Sequence, residues 1–390
     1  MTSEFDFDTI VPRRGTGSYK WDTPTDPATL PLWVADMDFR TAPAIIDALR
    51  RRVDHGIFGY TYVGEDYYKA VCEWFASQHG LEIDPQWIIY TSGVVPAVSA
   101  IIKALTRPGD KVITQTPAYN CFFSSIRNDE CILASNPLLH DSNGRYTIDF
   151  DHLPSLAEDP ACKVLILCNP HNPSGRCWTP EELRRVGEIC LKNGVFVIAD
   201  EIHCELTFDG HRYIPFASIS PEFALNSATC ISPSKAFNIA GLQIANIVTP
   251  DPKIRAKIDR AININEVCDV NPFGVVATVA AYTEGAPWLQ ALKRYLWDNY
   301  LWLRETIARE IPQYRLTPLE ATYLAWLDIT PSGLTSEKLS ERLLSHRLML
   351  NAGTMYGAEG EGFIRINLAT PRKILEEAFA ILLSVLKSFG

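Results

Sequence analysis

Lys163-Val164-Leu165-Ile166-Leu167-Cys168, then Thr179-Pro180-Glu181-Glu182, then Val195-Phe196-Val197-Ile198-Ala199: these three pieces, read in order, decide the fold. After Lys163 the first run is apolar throughout, so neither face of a strand built from it meets water; it reads as a strand buried on both sides. Thr179–Glu182 combines a capping box with proline at the first helical position. Leu183, Val186, Ile189 and Cys190 follow at helical spacing, and Asn193-Gly194 ends the helix. Val195–Ala199 is a second buried strand. Strand, helix, strand at this spacing is a βαβ unit of a parallel sheet.

The same texture extends outward. Val112-Ile113-Thr114 reads as a strand after the turn Pro108-Gly109-Asp110, and Ala228-Thr229-Cys230-Ile231 as another. From about Pro287 the pattern changes. A long aromatic helix over Leu289 to Ile311 leads to the strand Tyr323-Leu324-Ala325-Trp326-Leu327. A helix near Ser336 to His346, the strand Phe363-Ile364-Arg365-Ile366-Asn367 and a closing helix after Thr370-Pro371 complete it. The expectation is an α/β protein with an N-terminal arm over 1–40 that joins part of the small domain. A large domain over 41–285, with a mostly parallel sheet covered by helices, and a smaller α+β domain over 286–390 follow.

Composition sets the class. Of 390 residues, 47% are apolar and 21% charged, which excludes a disordered, collagen-like or coiled-coil chain. Lys plus Arg number 36 against 46 Asp plus Glu, a net charge of −10, so there is no basic footprint for nucleic acid or an anionic membrane. The longest apolar runs are about a quarter of a membrane span. The N-terminus is acidic and lacks a signal-peptide pattern. Ten cysteines are scattered with no C-x-x-C, which reads as reduced thiols in a cytoplasmic protein.

In an open parallel sheet, ligands bind beyond the carboxyl ends of the strands. Each apolar run is followed there by a chemically distinctive group. Ser92-Gly93-Val94-Val95-Pro96 opens a helix whose free N–H groups make a phosphate seat. Asn172 lies in Asn169-Pro170-His171-Asn172-Pro173-Ser174-Gly175, either bonding its own turn or donating to a phenolate oxygen. Asp200 closes the second buried run, as a helix cap, an arginine partner or a carboxylate facing a protonated pyridine nitrogen. Lys235, in Ser232-Pro233-Ser234-Lys235, precedes the water-poor stretch Ala236–Leu242; a desolvated lysine loses proton affinity and can form a Schiff base. Lysine, carboxylate, amide donor and phosphate seat are the set that pyridoxal 5′-phosphate (PLP) requires. No G-x-G-x-x-G follows a strand, no P-loop pattern occurs, and the eight histidines show no metal-ligand spacing.

These motifs, in this order, with Ala199-Asp200-Glu201-Ile202-His203 between them, resemble the class I/II aminotransferase family of fold-type I PLP enzymes over nearly the whole chain. Pro31-Leu32-Trp33-Val34-Ala35-Asp36-Met37-Asp38-Phe39, Phe58-Gly59-Tyr60 and Thr116-Pro117-Ala118-Tyr119 are similar to the MalY/PatB group of cystathionine β-lyases, the cysteine C–S lyases. The resemblance implies that Lys235 holds PLP and shuttles the substrate Cα proton. It implies that Asp200 pairs the ring nitrogen, that Asn172 and His203 lie by the phenolate oxygen, and that Tyr119 stacks on the ring. Gly93, Val94, Val95, Ser232 and Ser234 would line the phosphate. Arg365, with Asn172 and Ala35, would take the substrate carboxylate. Tyr60 would reach the phosphate of a neighbouring subunit, implying a homodimer with shared sites. Gln243 stands where the aspartate-aminotransferase branch commonly has a phosphate-binding arginine.

The expected reaction is α,β-elimination from cystathionine or a related S-substituted cysteine, giving pyruvate, ammonia and a thiol. The same residues serve transamination of an aromatic or aliphatic amino acid, for which Trp33, Tyr60, Tyr62 and Phe122 offer apolar surface. A third reading is a regulatory protein that uses the fold to bind a partner; no DNA-binding domain is expected before Leu32.

Overall fold

The computed structural model describes residues 5–389 apart from 209, 265, 267 and 268. Seven strands form the first sheet: β1 (Ile88–Thr91), β2 (Lys111–Thr116), β3 (Ile132–Pro137), β4 (Cys162–Cys168), β5 (Phe196–Asp200), β6 (Ser227–Ile231) and β7 (Ala245–Val248). Their spatial order is β1-β7-β6-β5-β4-β2-β3. β7 runs antiparallel to both neighbours, and every other pairing is parallel. β1 therefore points the same way as β2 to β6, and the carboxyl ends of these six strands share one edge.

Ten helices matter here: α1 (Pro43–His55), α2 (Glu65–His79), α3 (Val94–Leu105), α4 (Asn120–Asn128), α5 (Pro180–Asn193), α6 (Pro252–Asn263), α7 (Pro272–Glu284), α8 (Ala286–Glu310), α9 (Ser336–Ser345) and α10 (Arg372–Leu386). The period of two along β4 divides the core. Leu165 and Leu167 pack with Leu183, Val186 and Cys190 of α5, whereas Val164, Ile166 and Cys168 pack with Val98, Ile101 and Ile102 of α3 and Ile258 of α6. Both faces of the sheet are covered, as an apolar strand requires. A fully buried leucine of this kind contributes about 1.5–3 kcal/mol.

The start of α5 matches its sequence signature. Thr179 Oγ1 accepts from Glu182 N at 3.2 Å while the Glu182 carboxylate accepts from Thr179 N at 2.8 Å. Gly194 ends the helix in the left-handed region, at φ 67°. At Gly187 a Cβ would come within 2.3 Å of the Phe223 ring, so glycine is what lets that ring lie against α5.

The second sheet holds β8 (Arg315–Leu316), β9 (Leu324–Asp328), β10 (Asn351–Ala352) and β11 (Phe363–Asn367) in the order β8-β9-β11-β10, antiparallel throughout. Leu339 and Leu343 of α9 and Leu375, Phe379 and Leu382 of α10 share a core with Ile364 and Ile366 of β11. Near the N-terminus, Leu30–Pro31 pairs in parallel with Leu348–Met349. Among the described residues no helix is long and apolar enough to cross a membrane.

Candidate active site

Beyond the carboxyl ends of β1, β2, β4, β5 and β6 lies a cleft with about 790 Å³ of empty volume, its solvent-facing mouth included. Gly93, Val94 and Val95 line it from the start of α3, a helix N-terminus that no side chain caps. Tyr119, Asn172, Asp200, His203, Ser234, Lys235 and Ala35 line the rest. Residues up to 200 positions apart thus meet because each follows a parallel strand or lies on the segment crossing that edge.

Lys235 is half-buried, and its Nζ donates to the Ala35 carbonyl at 2.6 Å. Burial, helped by the Arg365 charge, pushes its amine down to about 8, against the pull of Asp36 and Asp200. Such a lysine reaches its nucleophilic form within the physiological range. Asp200 shows the complementary condition. Burial pushes its carboxyl up to about 6, opposed by the Ile202 N–H, which donates to Oδ1 at 3.2 Å, and by the charge of Lys235. A buried carboxylate this poorly compensated favours a cation beside it. His203 is held well below its ordinary value by burial and by Lys235 and Arg365, so its ring is neutral, and its buried Nδ1 has no partner among the described residues.

Arg365 lies just outside the cleft wall. Nη1 donates to Asn172 Oδ1 at 3.1 Å, Nη2 to the Trp33 carbonyl at 2.8 Å, and buried Nε has no partner among the described residues. Its guanidinium carbon lies 4.9 Å from the centre of the Tyr356 ring. With Oδ1 engaged by Arg365, the side-chain amide of Asn172 is the part left for the cleft.

Not every candidate lies in the cleft. Ser232 does not line it: its hydroxyl donates to the Ile244 carbonyl at 2.7 Å and accepts from Ser234 N at 3.1 Å, closing the turn that presents Lys235. Tyr60 is 97% exposed and away from this chain's own cleft. The Ala35 carbonyl faces Lys235, which leaves only its N–H for a carboxylate. Gln243 lines the cleft, and Lys235 is the only lysine or arginine among the lining residues described.

Sequence reasoning passed over Tyr323, whose hydroxyl donates to the same Ala35 carbonyl at 2.9 Å. An aromatic residue at the head of an apolar strand gives no local sign of a polar task. It also passed over Glu201, which accepts from Asn169 Nδ2 at 3.0 Å, from Phe216 N at 2.9 Å and from the Tyr213 hydroxyl, tying together the ends of β4 and β5.

Residues 29–382 match the description of aminotransferase class I and II. The chain belongs to that family. Within it, the chain falls in the MalY/PatB group. It is 43% identical to cystathionine beta-lyase PatB of Bacillus subtilis, over 95% of this chain and 97% of PatB. It is 33% identical to protein MalY of Escherichia coli, over 98% of this chain and 99% of MalY. Cystalysin of Treponema denticola, whose crystal structure contains pyridoxal 5′-phosphate, superposes with a TM-score of 0.95 at 34% identity, covering 99% of this chain and 100% of that one. The family has the fold-type I architecture of a mostly parallel sheet clad in helices, as found above.

The cleft fits that cofactor on its own chemistry. It offers a nucleophilic lysine, an undercompensated carboxylate, an orphaned imidazole nitrogen and an uncapped helix N-terminus for an anion.

Proposed function

We propose that this chain is a PLP-dependent carbon–sulfur lyase, cleaving cystathionine or a related S-substituted L-cysteine to pyruvate, ammonia and a thiol. The observation that carries this reading is the end-to-end 43% identity with PatB, joined to a cleft whose residues suit the cofactor. Bound there, PLP supplies an electron sink for the pair left behind when the substrate Cα–H bond breaks.

The chain's own residues do the rest. Lys235 holds the cofactor and then, as a free amine with an affinity for protons near neutrality, takes the Cα proton and returns one. Asp200 keeps the ring nitrogen protonated, and Asn172 and His203 attend the phenolate oxygen. The N–H groups at the start of α3, with Ser234, seat the phosphate. Tyr119 covers the ring. Arg365 takes the substrate carboxylate, with its fork already aligned by Asn172 and Trp33.

The working unit is a homodimer in which Tyr60 reaches the neighbour's phosphate. Ile57, Phe58, Tyr60 and Tyr62 are all exposed on one segment, an apolar stretch that a second copy would cover. The division into 1–40, 41–285 and 286–390 goes with this reading, the two sheets falling in the second and third parts. All nine described cysteines are free, which supports a reducing, cytoplasmic setting.

The test is purified protein given cystathionine without any keto acid, with pyruvate assayed. Steady release supports the lyase. Strict dependence on a keto-acid acceptor replaces it with the aminotransferase reading.

A further inference from the structure

One main-chain oxygen, that of Ala35, accepts two hydrogen bonds: from Lys235 Nζ at 2.6 Å and from the Tyr323 hydroxyl at 2.9 Å. Both lone pairs of the carbonyl are in use. Tyr323 is 1% exposed, and its ring stands edge-on to His203, the centroids 6.1 Å apart. Its placement is enforced from both sides. The preceding Thr322 is fully buried at φ 71°, a conformation that β-branched residues avoid. That turn is held by Thr322 N donating to the Leu206 carbonyl at 2.7 Å and Leu324 N donating to Thr322 Oγ1 at 3.1 Å. The Tyr323 carbonyl accepts from Leu368 N at 2.8 Å. A strained turn kept in place by its neighbours aims one phenol at one carbonyl.

We infer that Tyr323 is a positioning residue for Lys235, keeping the Ala35 carbonyl hydrogen-bonded whenever the lysine leaves that contact to hold the cofactor or move a proton. The inference rests on the function proposed above. Attachment joins the lysine nitrogen to the cofactor aldehyde carbon with loss of one water, after the ammonium has given its proton to solvent. The lysine then no longer serves Ala35. An acceptor stranded on a cleft wall that the cofactor covers is unfavourable, so without the phenol the ammonium is held back at Ala35. The charged and titratable groups facing Lys235 are Arg365, which opposes its charge, Asp36, Asp200 and Cys121, which favour it, and neutral His203. None of them is altered by Tyr323→Phe.

The experiment compares wild type and Tyr323→Phe for binding of PLP and of pyridoxamine 5′-phosphate, whose amine cannot attach to Lys235. Borohydride reduction and intact mass read the attached fraction against pH. Expected are about a tenfold loss of PLP affinity at neutral pH, unchanged pyridoxamine phosphate affinity, and an attachment midpoint about one pH unit higher. Equal loss of both ligands shows that Tyr323 merely packs the site and overturns the inference. Unchanged PLP affinity and midpoint overturn it as well. Wild type binding neither ligand overturns the functional reading itself, and this inference with it.

Discussion

Arg365 Nη1 donates to Asn172 Oδ1 at 3.1 Å, joining β11 of the second sheet to the turn after β4 of the first across 193 positions of sequence. A guanidinium held this way is aligned before any substrate arrives, and its alignment depends on a residue assigned to the cofactor.

Arg365→Lys keeps the charge and loses the fork. The loss of a charge-assisted bond of about 1.5–3 kcal/mol predicts a KM for cystathionine raised about 10- to 100-fold, with a smaller effect on kcat. Steady-state pyruvate release measures both. An unchanged KM removes Arg365 from substrate binding.

Asp200→Asn separates stability from activity. The folded carboxyl at about 6 lies above its ordinary 3.8 because burial disfavours its charge. Below both values the group is protonated in either state and has no effect. As pH rises from 3.8 to 6 the unfolded chain ionises while the folded one does not, so stability falls, by on the order of 3 kcal/mol above pH 6. The cofactor-free Asn variant should therefore unfold at a higher temperature than wild type at neutral pH, with the advantage gone by about pH 4. With PLP bound, its kcat should drop about 30-fold or more, the cost of losing one partner of a buried charge pair. Equal melting temperatures across this range would show that Asp200 is already compensated.

Lys235 titrates near 8, so the rate at which cofactor-free protein takes up PLP should climb about tenfold per pH unit below 8 and level off above it. Stopped-flow absorption gives the profile. A plateau reached only near the ordinary lysine value of 10.5 contradicts the burial argument. Lys235→Ala should show no borohydride-fixed cofactor at any pH.

Asp38 anchors the segment that carries Ala35. Its carboxylate accepts from Arg13 Nη1 at 2.8 Å, Lys20 Nζ at 2.8 Å and Trp21 Nε1 at 2.7 Å. Burial works to raise its carboxyl, but Lys20, Trp21 and Arg13 outweigh it and hold the group below the usual aspartate range. The stability it contributes is therefore present at neutral pH and lost as pH falls through that lowered value. Asp38→Ala leaves Lys20, which is 0% exposed, with only the longer contacts to Asp36, Oδ1 at 3.7 Å and the carbonyl at 3.3 Å, and should cost about 3–5 kcal/mol in urea unfolding. A loss under 1 kcal/mol would mean that Asp36 takes over the lysine.

The fold was legible where the signals are local. An apolar run too long to have a wet face, as in Val164–Cys168, fixes a two-sided burial, and the Thr179–Glu182 box fixes a helix start. The cleft was legible because each of its groups follows such a run. What depends on distant pairing was not. Nothing in Ala245–Val248 tells that β7 enters antiparallel between β1 and β6. Ser232 carries a hydroxyl suited to a phosphate, yet the Ile244 carbonyl, brought in by β7, claims it. Tyr323 and the Ala35 carbonyl escaped for a related reason. A main-chain oxygen is the same in every residue, so its importance comes only from what the fold brings to it.

The Ala35 carbonyl meets a partner 200 positions away in Lys235 and one 288 positions away in Tyr323, and the Trp33 carbonyl meets Arg365 332 positions away. During synthesis the ribosome therefore releases Lys235 well before the strand that carries Arg365. For that interval the nascent protein presents a lysine without its full cage, and the cage closes only when the segment around Arg365 emerges.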